Sequence, residues 1–481
     1  MGIKTALKKT FELDLRSLSL MRIFIGIVCM VDIIGRLCDL TAHYTDVGIF
    51  PRHYWLSEIM YAGNFSFHAS NGTWFFMAFI FALHFLIAAS FTIGHKTKWS
   101  TLLLFLFTAS LHNRNWLLNN GGDDVLRVML LVCTFLPLGE YFSWDAKGKV
   151  IQTATQIRWW SGFYYIFQLF CIYYFSAIIK NHPIWYKDFT ATYYALQLDF
   201  FTRSSAKFLS DHFELLKWIT AYTIYLEWLV PIFLMINFIF LKWQNHFKAV
   251  TVFLFVTFHL GLIMMMELGT FPWFCIGFWL ALLPSSFWFW MGKIKISEKF
   301  QYVAKLPAEL KLKESFLPKS FALIFALIVL LWNIEEMKSF RQTKGFLADT
   351  GSWLQIQQKW NMFAPYPKIL NEWFEGNGYT TDGKKIDLFN ESENFDETIK
   401  KRFYQSIQNK QWRKFYLMMA ESEVYVKYFA EYTCRKWNEL KLAKLPYQLE
   451  RVEFILYKQQ TLIGYNKDAE VRMPIYQLSC L

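Results

Sequence analysis

Apolar residues in this chain are grouped into long blocks separated by short polar loops, without the narrow apolar stripe of a soluble amphipathic helix. Blocks of this kind suit helices crossing a bilayer, whose hydrocarbon core takes about 20 apolar residues. Nine spans are predicted: 18–37, 74–93, 100–112, 125–138, the run RWWSGFYYIFQLFCIYYFSAII that ends at Lys180, then 219–241, 249–266, 272–291 and 321–332. After Asn333 the blocks stop. GYTTDGKKIDLF reads as a hairpin turning at Asp382 and Gly383, 401–420 and the segment to Leu440 as helices, and 450–461 as a strand. The expected architecture is therefore an all-α polytopic membrane bundle of about nine helices with an extramembrane α+β domain. Its parts are a basic lead-in at 1–17, a transmembrane domain at 18–292, a basic loop at 293–319, a last span at 320–334 and the C-terminal domain at 335–481.

Some polar residues interrupt the blocks. Asp32 and Arg36 lie one helical turn apart in the first span and can pair, fixing helix packing as readily as doing chemistry. Arg127 sits near the outer end of the fourth, and Glu227 in the sixth is a buried acid beside an expected kink at Pro231. A short interfacial helix is expected around residues 55–60.

Charge adds an orientation. The formal net charge is +12, and much of the excess lies in loops: Lys4, Lys8, Lys9 and Arg16, then Lys96 and Lys98, Lys242 and Lys248, and seven lysines from 293 to 319. By the positive-inside rule these loops and the N-terminus face the cytoplasm, and nine spans then leave the C-terminal domain outside. The excess points to anionic lipid and not to nucleic acid. The first apolar run has no small-residue cleavage site after it and reads as a signal anchor.

Cysteines form no CxxC pair, and Cys434 and Cys480 bond only if the C-terminal region faces an oxidising compartment. There is no HExxH and no GxSxG, and His43 and His53 are too far apart for one helical face, so neither a metal nor a hydrolase triad is expected.

Lys180 ends its span and is followed by NHPIW. One reading is a snorkelling cation among headgroups. The other is an amine walled in by Tyr173, Tyr174, Phe175 and Ser176, since an amine in dry surroundings can stay neutral and act as a base. In the expected topology the outer ends of the spans gather His43, Tyr44, Asp46, His112, Arg114, Asn119, Asn120, Lys180, His182 and Glu267, with His259 at membrane depth. That gathering reads as a proton-handling site below the outer surface, open sideways to a lipid-soluble substrate.

HYTDVGIFPR, RNWLLNNGGDDVLRV, FSWD, SAIIKNHPIWYKDFTATYYALQLD and FHLGLIMMMELGTF, in that order over roughly residues 15–290, resemble the horizontally transferred transmembrane (HTTM) domain, the bacterial relative of vitamin K-dependent gamma-carboxylase. QKWNMFAPYP followed by YTTDGKKIDL is similar to the extramembrane part of those enzymes. The resemblance implies a protein of the bacterial inner membrane that binds reduced vitamin K or menaquinol. In the family a lysine deprotonates the quinol, oxygen adds, and the resulting base takes a proton from a glutamate of a peptide or protein before CO2 adds, leaving the quinone epoxide. Lys180, five residues before Trp185, matches that lysine, and His259 matches a histidine of the quinone site. Asn119 and Asn120 match an Asn–Asn pair, Met362 matches a methionine at the pocket mouth, and His112 and Arg114 belong to the same candidate quinol site.

Gly121 departs from the pattern, because the carboxylases have a histidine there. His112 and His182 are the candidates to replace it. No match to the propeptide-binding surface of the animal enzymes is seen. Two other readings stay open: quinol oxidation or epoxidation without CO2 addition, and a non-enzymatic membrane protein in peptide-toxin maturation or immunity.

Overall fold

A computed structural model describes residues 3–58, 64–148, 159–240, 242–293, 316–338, 345–464 and 466–481. Most of the basic loop at 293–319 and the end of the interfacial helix lie outside these residues; the described part of that helix is Arg52–Glu58. The principal membrane-domain helices are α1 (Leu15–Leu37), α2 (Trp74–Ile93), α3 (Thr97–Arg114), α4 (Gly121–Cys133), α5 (Trp159–Ile179), α6 (Phe213–Ile239), α7 (Gln244–Met265), α8 (Phe271–Leu280), α9 (Ser285–Met291) and α10 (Phe316–Lys338).

The expectation of nine spans is overturned. Among the described residues five helices are long and apolar enough to cross a membrane: α1, α2, α5 over Trp160–Ile179, α7, and α10 over Lys319–Met337; a bent pair makes up to six. The reasons are local. α4 has 13 residues, about 20 Å at 1.5 Å per residue, which is short of a hydrocarbon core of about 30 Å. α3 ends in buried His112, Asn113 and Arg114, so its apolar part is shorter than the helix. The predicted span 272–291 is α8 and α9, bent by 90° at a break. α6 runs without interruption through Pro231, carries Glu227, and is not among the five. The agreement between span count and loop charge consequently does not carry over. Five spans put the chain ends on opposite sides, and six put them on the same side.

Asp32 and Arg36 do pair, with Arg36 Nε 2.9 Å from Asp32 Oδ2. Arg36 also reaches Asp123 at 2.6 Å and Tyr44 Oη at 3.1 Å, and His112 Nε2 lies 3.3 Å from Asp123. Three helices, α1, α3 and α4, are tied together by this network.

The C-terminal region is mixed α and β. Four antiparallel strands, β1 (Leu370–Thr380), β2 (Lys385–Asp387), β3 (Leu449–Gln460) and β4 (Val471–Ser479), stand in the order β2-β1-β3-β4. The β1–β2 hairpin turns at Asp382 and Gly383, as read from sequence; Gly383 takes a φ of 83°, which favours glycine. The stretch 401–420 is two helices, α11 (Ile399–Gln405) and α12 (Lys410–Glu421). Asn409 separates them by capping the second, its Oδ1 accepting from Gln411 and Trp412 N–H at 3.0 and 3.2 Å. A further helix, α13 (Glu423–Cys434), packs on β3 and β4. Cys434 and Cys480 are disulfide-bonded, with Cα atoms 5.2 Å apart.

This domain docks on α1 and the loop after it. Lys410 pairs with Asp32, Asn409 contacts Asp39, Trp412 Nε1 donates to Asp39 at 3.0 Å, and Tyr54 Oη donates to Glu431 at 2.7 Å.

Candidate functional site

Tyr173, Ser176 and Lys180 follow the i, i+3, i+7 spacing that places side chains on one helix face. Tyr174 and Phe175 fall on other faces, which is why only Tyr173 and Ser176 of the four expected wall residues line the cavity beside the amine. α5 stops here because Pro183, at the start of the short helix Pro183–Tyr186, holds His182 in extended backbone.

A snorkelling lysine would show its ammonium to solvent, but Lys180 is only 4% exposed. Its Nζ donates to the two carboxylate oxygens of Glu227 at 2.6 and 2.5 Å and to Ser176 Oγ at 2.8 Å. The ring of Trp185 lies 5.2 Å from it, within cation–π range. Glu227 is brought there by α6, and it is the site residue that sequence reasoning left outside the cluster.

The pair forms one wall of a cavity of about 260 Å³. Other walls come from α7 with His259, from Leu196 and Trp185, and from a segment of the C-terminal region with Trp360, Met362 and Phe363. Tyr222 of α6, 42% exposed, and Gly261 and Leu262 of α7 also line it, so the cavity reaches the outer, apolar faces of two neighbouring helices. Most of its surface is apolar side chain, with few polar groups placed in it, the usual make-up of a small-molecule site.

Those polar groups are incompletely paired. Trp279 Nε1 donates to Tyr173 Oη at 2.8 Å, and Tyr173 Oη lies 2.7 Å from His259 Nε2. The thiol of Cys275 also meets Tyr173, but an imidazole nitrogen is the better acceptor, so the hydroxyl proton is assigned to His259 Nε2. The N–H of His259 is then on Nδ1, which has no partner among the described residues. Trp185 Nε1 and Trp360 Nε1 are also buried and unpartnered. A buried donor left unsatisfied costs about 1–3 kcal/mol. Three of them around one cavity fit a ligand that carries acceptor oxygens.

The remaining candidates lie elsewhere. Asn119 Nδ2 donates to the His112 carbonyl at 3.0 Å, and Asn120 forms a capping box with Asp123 at the start of α4. Arg114 donates to the carbonyls of Phe50 and Tyr44 at 2.9 and 2.7 Å, and His112 belongs to the Arg36–Asp123 network. His182 Nδ1 accepts from Ile184 N–H at 3.3 Å, and Glu267 pairs with Arg203 at 2.6 Å. None of these lines the cavity. Gly121 borders it indirectly: a Cβ there would stand 2.9 Å from Met362 Sδ. His43, outside the spans, packs 4.5 Å from the Trp412 ring with neither ring nitrogen hydrogen-bonded; burial pushes its pKa down to about 4, with Asp39 opposing the shift.

Among the described residues no group of three or more His, Cys, Asp or Glu side chains is placed to hold a metal ion. The chain matches no protein-family profile, no curated protein sequence and no solved structure.

Proposed function

We propose that this chain is an integral membrane enzyme of the vitamin K-dependent carboxylase kind, which oxygenates a quinol and uses the base so generated on a glutamate. The observation that carries the reading is the buried Lys180–Glu227 pair in the wall of a mostly apolar cavity. Burial disfavours both charges of such a pair unless each is well bonded. Moving the shared proton to Glu227 leaves a neutral amine beside the cavity, able to take a proton from a quinol hydroxyl. Trp185, Trp360 and His259 supply N–H groups for the ring oxygens, and the exposed faces of α6 and α7 let an isoprenoid substrate enter from the bilayer.

In balance, quinol, O2, CO2 and a glutamate C–H give quinone epoxide, water, a malonate side chain and one released proton. The protein's part is to bind the ring, orient it by hydrogen bonds, exclude water and remove the first proton.

Placement of the C-terminal domain outside the bacterial inner membrane is supported by the Cys434–Cys480 bond, which persists in oxidising compartments, and by the basic N-terminal lead-in.

Oxygen uptake by the purified protein with menaquinol or reduced vitamin K, measured with and without bicarbonate and a glutamate-rich peptide, tests the reading. Quinol-dependent uptake with a carboxylated peptide is the expected result. Uptake with no carboxylated product favours oxygenation without CO2 addition, a reading that Gly121, where the carboxylases carry a histidine, also supports. No uptake at all by folded protein counts against both.

A further inference from the structure

A second cavity, of about 190 Å³, lies at the Gln244 end of α7. The other end of that helix is about 33 Å away at 1.5 Å per residue, next to Glu267, whose carbonyl accepts from Arg413 of the C-terminal domain. Three separate stretches build the cavity: residues 9–14, 242–248 and 282–285.

Lys9, Lys242 and Lys248 line it. The first two are exposed, whereas Lys248 is only 8% exposed. Lys248 Nζ donates to the backbone carbonyls of Glu12 at 2.9 Å and Lys9 at 3.4 Å, and among the described residues it makes no ion pair with a carboxylate. Two acids, Glu12 and Asp14, also line the cavity. Asp14 is compensated by Arg16, whose Nη2 and Nε lie 2.6 and 2.9 Å from its oxygens, and it accepts from Ser285 Oγ at 2.7 Å. Three ammonium groups thus outnumber the two carboxylates of the lining, one of which is already held by Arg16, leaving the cavity cationic.

The local backbone adds to this field. α7 starts at Gln244 and Asn245, both in the cavity wall, and Trp243 at the cap position supplies no side-chain acceptor to its first N–H groups. Such a helix start favours an anion. Leu13, Leu282 and Leu283 add apolar side chains to the lining. Close by in sequence, Phe240, Trp243, Phe289 and Trp290 are each more than half exposed, which is the aromatic belt expected at headgroup level.

We propose that this cavity holds the phosphate of an anionic phospholipid headgroup. The three lysines and the α7 N-terminus surround the phosphoryl oxygens, and Leu282 and Leu283 lie against the start of the acyl chains. The site is separate from the Lys180 cavity and stands whether or not the quinol reading does. Basic pockets between membrane helices suit such headgroups, and phosphate in solution offers the same chemistry without the chains.

Native mass spectrometry and thermal unfolding of the detergent-purified chain, with phosphatidylglycerol, phosphatidylcholine or inorganic phosphate added separately, make the test. Phosphatidylglycerol should be retained, and should raise Tm at ratios where phosphatidylcholine does neither. A Lys9→Gln, Lys242→Gln double variant, changing two exposed side chains, should lose that retention several-fold while its Tm without lipid stays at the native value. Equal retention of the two lipids, or native-like retention by the double variant, would overturn the site. An equal Tm rise with inorganic phosphate alone would overturn the lipid source and assign the cavity to free phosphate.

Discussion

Lys180 Nζ stands 2.6 and 2.5 Å from the two carboxylate oxygens of Glu227, joining the end of α5 to the middle of α6, and both side chains are less than a tenth exposed. Removing one partner leaves the other charge buried and alone, at about 3–5 kcal/mol. Glu227→Gln and Lys180→Met should each lower Tm markedly, and Lys180→Met with Glu227→Leu should recover most of the loss. Additive losses in thermal unfolding would show that the two residues do not act as a pair.

The contact of Lys410 with Asp32 holds the C-terminal region on α1. Lys410→Met should cost about 1–3 kcal/mol and speed limited proteolysis between residues 345 and 481. An unchanged cleavage rate would place the docking energy in other contacts.

Cys434 and Cys480 close a loop with a sequence separation of 46. Mild reduction, or replacement of both by serine, should destabilise the C-terminal region by about 2–4 kcal/mol. Differential scanning calorimetry with and without reductant would read this, and identical melts would mean that the bond adds nothing.

Gly121 faces Met362, which lines the cavity. Met362 is a flexible thioether, so Gly121→Ala should cost about 1 kcal/mol, but it pushes on the cavity wall. Menaquinol affinity, followed by tryptophan fluorescence, should weaken several-fold and recover when Met362→Ala is added. Equal affinity in all three proteins would detach Gly121 from the site.

His43 gives a pH dependence with a definite sign. Its pKa is about 4 in the folded chain, lowered by burial, against about 6.5 for an ordinary histidine. The unfolded state therefore binds the proton first, so the contribution is complete above about pH 6.5 and is lost as pH falls toward 4. His43→Phe should flatten this part of the Tm–pH curve, since neither ring nitrogen is hydrogen-bonded. A slope unchanged in the variant would assign it to other groups.

Part of this was legible in the sequence. The blocks of α1, α2, α5, α7 and α10 marked membrane helices, and Pro183 marked the end of α5 that sets Lys180 in place. The span count was not legible, because a helix buried in protein and one facing lipid are equally apolar; α4, with 11 buried residues of 13, shows this. Asn120 to Asp123 did carry a local signal, an Asn-x-x-Asp capping box, which explains the asparagine without a ligand. Pro284 likewise sits at the break between α8 and α9. Glu227 stood out as a lone acid, but its meeting with Lys180, 47 residues away, is fixed by the register of two packed helices.

The most direct measurement is of quinone epoxide by mass spectrometry, after purified native chain and Lys180→Ala are incubated with reduced vitamin K or menaquinol, oxygen and bicarbonate, with Tm recorded for both. Epoxide from the native chain and none from a folded Lys180→Ala is the expected result. Epoxide from neither protein, or equal amounts from both, would contradict a quinol-oxygenating site at Lys180.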